Sequence, residues 1–181
     1  MTGGDSSGAD PHGLLAHIRD IPDFPEPGIV YKDITPLLAD ADAFRTAVDA
    51  LSDPYVDAGV DLVVGVEARG FLFAAPIAYR LGAGCIPFRK PGKLPYETVE
   101  HTYDLEYGTD TLAAHVDAIG EGSRVLLVDD VLATGGTAAA ASRLVDELGG
   151  TIVGCAFLLE LGFLAGRERL QGQSVTSVLA L

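Results

Sequence analysis

Two adjacent acids, Asp129 and Asp130, close an aliphatic run that begins at Arg124, and Val-Leu-Ala-Thr-Gly-Gly-Thr137 follows at once. A buried strand would carry both carboxylates to its carboxyl end, the edge of an open α/β sheet where ligands bind. The glycines then let the backbone approach an anion closely. The first free N–H groups of the following helix point at that anion, reinforced by roughly half a unit of positive dipole charge. Thr134 and Thr137 add hydroxyl donors. The loop lacks the Gly-Lys-Ser/Thr ending of a triphosphate-binding P-loop, so a monophosphate fits better. Carboxylates beside a phosphate repel it unless they accept hydrogen bonds from sugar hydroxyls or act through a divalent cation. Together these features describe a ribose 5-phosphate site. The plain alternative, a capped strand end beside an ordinary turn, leaves the coincidence of both features at one junction unexplained.

The elements that must position this segment follow from hydrophobic periodicity. Leu62 to Val66 is a branched apolar run, the pattern of a strand covered on both faces in a parallel sheet, and Phe71 to Leu81 reads as helix after it. Cys85 to Arg89 reads as a second strand and Arg124 to Asp130 as a third. An alanine-rich helix from Thr137 to Leu148 and a fourth strand from Thr151 to Leu161 complete the series. Upstream, Leu14 to Arg19 reads as a short amphipathic helix, 21–36 as a shaped loop with three prolines and a glycine within 21–28, and Asp42 to Ala58 as a helix. The alternation spells an α/β fold, a mostly parallel twisted sheet flanked by helices. Residues 1–12 read as a flexible tail, 13–181 as a single domain, and 90–108, too punctuated for regular structure over its first half, as a long loop or hairpin serving as a lid.

Composition excludes several classes of function. With 181 residues, 48% of them hydrophobic, the chain supports one substantial core, and its longest apolar stretches fall well short of a membrane span. The net charge of −14 opposes any extended nucleic-acid surface. Cys85 and Cys155 lie in apolar runs without metal-ligand spacing, and the N-terminal residues lack the form of a secretory leader. Buried reduced thiols and a cytoplasmic protein are expected. His12, His17, His101 and His115 show no pairing with a nucleophile and read as surface residues.

The run VLLVDDVLATGGT resembles the phosphoribosyl-pyrophosphate signature of the type I phosphoribosyltransferases. That resemblance implies their fold with a small hood, and assigns ribose hydroxyls to Asp129 and Asp130 and the 5-phosphate to Ala133, Thr134, Gly135, Gly136 and Thr137. Four further blocks are similar to the adenine-using branch of the family, in the same order: Phe24 to Thr35, Glu67 to Phe73, Arg89 to Pro95 and Tyr103 to Gly108. The likeness implies that Arg69 contacts pyrophosphate and that Lys93, with Arg89, closes over it, which suits a leaving group whose charge grows as its bond breaks. It places Tyr31 against the base opposite Leu161, with backbone groups of Val30 and Lys32 reading the base edge. It makes Glu106 the acid/base candidate and Tyr107 its neighbour in the lid.

The same resemblance implies transfer from phosphoribosyl pyrophosphate to adenine, giving AMP and pyrophosphate, with Mg2+ held mainly through substrate and a homodimer as the assembly. Another purine base, hypoxanthine or guanine, and a non-catalytic sensor of the same donor are the competing readings. Lys32 stands where many relatives carry Arg, and Ala74 where relatives often carry Gly.

Overall fold

The computed structural model describes residues 10–104 and 109–181. In chain order its strands are β1 (Arg19–Pro22), β2 (Val30–Asp33), β3 (Leu62–Val66), β4 (Gly84–Phe88), β5 (Thr98–Asp104), β6 (Thr109–His115), β7 (Arg124–Leu132), β8 (Thr151–Glu160) and β9 (Val175–Ala180). Its α-helices are α1 (Thr35–Ala39), α2 (Ala41–Ser52), α3 (Gly70–Leu81) and α4 (Gly136–Glu147). Five strands form a parallel sheet in the order β4-β3-β7-β8-β9. From β3 the chain crosses to β4 in one direction, and from β7 to β8 in the other. The gap between the carboxyl ends of β3 and β7 is therefore the topological switch point, where two strand-to-helix connections diverge and leave a crevice.

The central strand shows why the sequence folds this way. Val125, Leu126, Leu127 and Val128 are all fully buried, as a strand covered on both faces requires. Their side chains alternate. Leu126 and Val128 join the cluster beneath α2 and α3, whereas Val125 and Leu127 join the cluster beneath α4 and the β5–β6 hairpin. A one-residue slip would exchange the two sets, so packing pins the register. Asp40 caps α2 by accepting from the N–H groups of Asp42 at 3.0 Å and Ala43 at 2.9 Å.

Several expectations are corrected. Leu14–His17 is only a single 3-10 turn, and β1 begins at Arg19. The segment expected as a shaped loop contains the antiparallel β1–β2 hairpin, with a cis Phe24-Pro25 bond between its strands. Helix α2 stops at Ser52, before Pro54. Of the lid segment, residues 90–97 are irregular and Thr98–Asp104 takes the hairpin alternative, pairing antiparallel with β6 from Thr98↔His115 to Asp104↔Thr109. Strands β6 and β9 were not foreseen. Cys155 is buried, and that burial pushes its thiol up to about 12, but Cys85 is exposed. It lies on edge strand β4, of which only Phe88 is buried. His12 is exposed as expected, whereas His17, His101 and His115 are half-buried, and His115 Nε2 accepts the Tyr96 N–H at 3.3 Å.

Gly65, in the middle of β3, sets the distance between sheet and α3. A Cβ there would lie 2.6 Å from the Ala74 Cβ, so Ala74 has used the space that the strand leaves open. Gly65→Ala is expected to destabilise the fold by about 1–3 kcal/mol through overpacking. Thermal unfolding should show a melting point lower by roughly 2–4 °C per kcal/mol, and adding Ala74→Gly should restore most of it.

Candidate active site

Strand β7 delivers Asp129 and Asp130 to the switch point with alternating orientation. Asp129 Oδ1 accepts the N–H of Asp130 at 2.9 Å. Asp130 is 3% exposed, and its Oδ2 lies 2.8 Å from Arg69 Nε. The N–H does not point along that line, so Oδ2 is charge-paired but has no aligned donor among the described residues. A buried carboxylate oxygen with open accepting capacity, at the mouth of a cleft, suits a hydroxyl donor or a cation. Burial, and then the adjacent Asp130 charge, raises the Asp129 carboxyl well above the usual carboxylate range. Burial also raises Asp130, opposed by Arg69.

The small-residue loop follows directly. Gly135 adopts φ 79°, a left-handed conformation that glycine takes without steric cost, and thereby turns the chain into α4. The Ala139 N–H closes the first helical bond onto the Gly135 carbonyl at 2.9 Å, which leaves the amides of Gly136, Thr137 and Ala138 ahead of the helical ladder. A Cβ at Gly135 would overlap the carbonyl oxygen of Gly166, so a second glycine backs the loop. Asp129, Ala133, Thr134, Gly135, Gly136 and Thr137 all line a small cavity of about 70 Å³, the size of a compact anion site.

The exit of β3 supplies the opposite wall. Glu67-Ala68 is a cis peptide, and Arg69 stands at the amino end of α3. The guanidinium carbon of Arg69 lies 5.0 Å from the centre of the Tyr31 ring, so one side chain spans from the carboxylate pair to the β1–β2 hairpin. Phe24 meets Tyr31 edge-on at 5.2 Å. Glu67 receives both Arg89 Nη2, at 3.1 Å, and Arg89 Nε, at 3.2 Å, together with the Lys90 N–H at 2.9 Å. Those bonds hold the Glu67 carboxyl below the usual carboxylate range. Between the two walls opens a cavity of about 400 Å³, lined among others by Arg69, Lys90, Asp129, Asp130 and Thr137.

The structure thus brings together most of the residues expected at the ribose-phosphate end. Arg89 is committed to Glu67 and donates to the Lys93 carbonyl at 2.9 Å, so it anchors the base of the lid. Lys93 is exposed, and the cavity is lined by Lys90 instead. Val30, Tyr31 and Lys32 lie on β2, with Lys32 Nζ 2.7 Å from Asp20 Oδ1. Leu161 is the first residue beyond β8, its N–H donated to the Leu132 carbonyl at 2.9 Å. Glu106 and Tyr107 lie outside the described residues.

Three cleft residues escaped the sequence reading. Lys90 pairs with Asp110, and Tyr103 donates to Asp110 at 3.2 Å while its hydroxyl lies 3.1 Å from Thr137 Oγ1. Tyr103 thereby ties the β5–β6 hairpin to the 133–137 loop. The one available cue was its place in the Tyr103 to Gly108 block.

A parallel sheet whose switch point joins a carboxylate pair, a glycine-rich turn into a helix and an arginine has the groups a phosphoribosyltransferase needs, and a model of the phosphoribosyl transferase domain matches residues 34–174. The adenine phosphoribosyltransferase of Thermobifida fusca is 63% identical over 154 residues, covering 85% of this chain and 88% of its own; that of Solibacter usitatus is 61% identical over 166 residues, covering 92% and 96%. Among solved structures, the adenine phosphoribosyltransferase of Rhodothermus marinus superposes with a TM-score of 0.89 at 53% identity, covering 93% of this chain and 96% of its own. That of Saccharomyces cerevisiae, in complex with adenine and an imino-altritol bisphosphate, gives 0.86 at 39% identity, with 92% and 96% covered. The chain belongs to the adenine phosphoribosyltransferase family.

The buried carboxylates have a consequence for stability. A carboxyl raised in the folded state binds its proton more tightly folded than unfolded, so its contribution to stability is lost as pH rises through the raised value. Asp129→Asn keeps the oxygen that accepts the Asp130 N–H and removes the charge. The substrate-free variant is expected to melt above wild type at neutral pH, and the difference should vanish below the ordinary carboxylate range, as followed by calorimetry across pH.

Proposed function

We propose that the chain transfers the 5-phosphoribosyl group from phosphoribosyl pyrophosphate to adenine, giving AMP and pyrophosphate, at the crevice between β3 and β7. The observation that carries this reading is the Asp130 carboxylate, buried and without an aligned donor among the described residues, beside the 133–137 loop on one side and Arg69 on the other. Asp129 and Asp130 accept the ribose hydroxyls, while the backbone of Ala133 to Gly136 and the hydroxyls of Thr134 and Thr137 hold the 5-phosphate. Arg69 and Lys90 face the pyrophosphate end, and Lys93 joins them from the lid with Arg89 as its anchor.

Tyr31 and Leu161 flank the base, whose edge is read by the backbone of Val30 and Lys32; flat stacking recognises a purine, and edge hydrogen bonds select adenine. Glu106, with its chain neighbour Tyr107 ordering the lid, takes or holds the proton that leaves the imidazole ring as N9 bonds to the sugar. Positive charge develops on the ribose ring while negative charge gathers on pyrophosphate, so fixed cations at one end and carboxylates beneath the sugar stabilise both. The lid hairpin excludes the water that would hydrolyse the donor.

Magnesium fits this site through the open Asp130 oxygen, with Asp129 beside it. Asp130, with Asp129 beside it, would hold the ion, and the donor's own phosphates would supply further oxygen ligands. When bound, the ion neutralises developing charge on the leaving group.

We further infer a homodimer. Leu72, 45% exposed, and Tyr79, 91% exposed, stand seven residues apart on one face of α3, a spacing that presents an apolar stripe to a second copy. A cytoplasmic setting accords with two free cysteines, and the net charge of −14 argues against a nucleic-acid partner.

Pyrophosphate release with adenine, and not with hypoxanthine or guanine, is expected, and magnesium chelation should abolish it. Asp130→Asn should fold and lose turnover by roughly 10²–10³-fold. Turnover of hypoxanthine without adenine would overturn the base assignment. Sedimentation should give a dimer that Tyr79→Arg shifts toward monomer.

A further inference from the structure

The turn after β8 contains an ion pair that the reaction does not itself require. Glu160, the last residue of β8, is 8% exposed. Its Oε1 accepts Arg167 Nε at 2.7 Å, and its Oε2 accepts Ser177 Oγ at 2.7 Å. Arg167 also donates from Nη1 to the Val175 carbonyl at 2.8 Å and from Nη2 to Ser177 Oγ at 3.3 Å. One guanidinium thus locks the 162–170 turn to the ends of β8 and β9, and the bonds from Arg167 and Ser177 hold the Glu160 carboxyl below its ordinary range.

What this brace holds in place is Gly166. A Cβ on Gly166 would overlap the Ala133 carbonyl oxygen and lie 3.1 Å from the Gly135 nitrogen, while a Cβ on Gly135 would overlap the Gly166 carbonyl. The two backbones are in mutual van der Waals contact, with no side chain between them to absorb a shift. Ala165, immediately before, holds φ 52°, a conformation that non-glycine residues adopt only where surrounding contacts enforce it. The amides of Gly135, Gly136 and Thr137 keep their direction only if their backing surface stays in place.

We propose that Arg167 is a positioning residue: through the Glu160–Arg167–Ser177 brace it fixes Gly166 as the backing of the 133–137 loop, and so sets the affinity for the phosphate of the ribose donor without touching it. The base wall has separate anchors. The Leu161 N–H is bound to the Leu132 carbonyl at 2.9 Å, and the Gly162 N–H to the Leu181 carbonyl at 2.7 Å. The effect therefore falls on the donor and spares the base. A misplacement of about 1 Å remote from the reacting atoms is enough to cost up to about 100-fold.

The proposal rests on reading 133–137 as the phosphate cradle, and its test separates the two. Steady-state kinetics and thermal unfolding would compare wild type with Arg167→Met, Arg167→Lys, Gly166→Ala and the double variant Glu160→Gln/Arg167→Met. The double variant removes both charges, so no buried carboxylate is left unpaired. Arg167→Met and the double variant, where they melt cooperatively, should show a KM for phosphoribosyl pyrophosphate raised about tenfold or more with a KM for adenine within about twofold of wild type, and Arg167→Lys should recover part of the donor KM. Gly166→Ala should show the same split with the brace intact. Folded variants with an unchanged donor KM, or with both KM values raised equally, would overturn the role of Arg167. Failure of wild type to bind the donor would instead overturn the cradle itself.

Discussion

The structure turns on a conflict between burial and charge at the end of β7. Two carboxylates lie side by side where desolvation disfavours both charges, and the opposite charge that meets them among the described residues is that of Arg69. A fold selected for stability alone would place apolar residues there, since buried charge is seldom a net stabiliser. The surrounding core bears the cost: Val125 to Val128 are fully buried immediately upstream, and two separate clusters hold the strand from both faces. Rigidity there lets the oxygen atoms be aimed before substrate arrives, and preorganised polar groups of this kind stabilise charge without reorganising during reaction.

The crevice is assembled from connections rather than from one motif. The β3 exit contributes Arg69, the β7 exit the carboxylates and the anion loop, and the hairpin between them Tyr103, whose hydroxyl meets Thr137. Because β3 and β7 are neighbours whose helices cross in opposite directions, their exits face a shared opening without further design. Net charge of −14 makes the few cations conspicuous: Arg69 and Lys90 each pair with an acid at the crevice, Asp130 and Asp110 respectively.

Much of this was legible in the chain because the informative residues are contiguous. The run from Val125 to Thr137 contains its own strand signal, its acids and its turn, so strand, loop and helix could be read in place. The β5–β6 hairpin was harder to read, since its pairing joins residues across a tip, and the β-forming residues Thr98, Val99, Thr102 and Tyr103 are interleaved with charged ones. Lys90 and Lys93 are indistinguishable by type and spacing; the Glu67 carboxylate, which holds the Arg89 side chain and the Lys90 N–H, sets Lys90 at the cavity wall. Cys85 was misread because a strand's apolar composition does not reveal whether it is central or at the edge. The contact of Gly135 with Gly166 was invisible for a simpler reason: two glycines thirty-one residues apart carry no signal that their backbones touch.

The central claim, that the end of β7 and the turn after it hold a phosphorylated sugar, is tested most directly by following backbone amide resonances during titration with phosphoribosyl pyrophosphate and magnesium. The account predicts that the largest shifts fall on Asp129, Asp130 and the amides of 133–138, with smaller ones at Arg69. Saturable binding whose shifts lie elsewhere, with that segment unmoved, would contradict it.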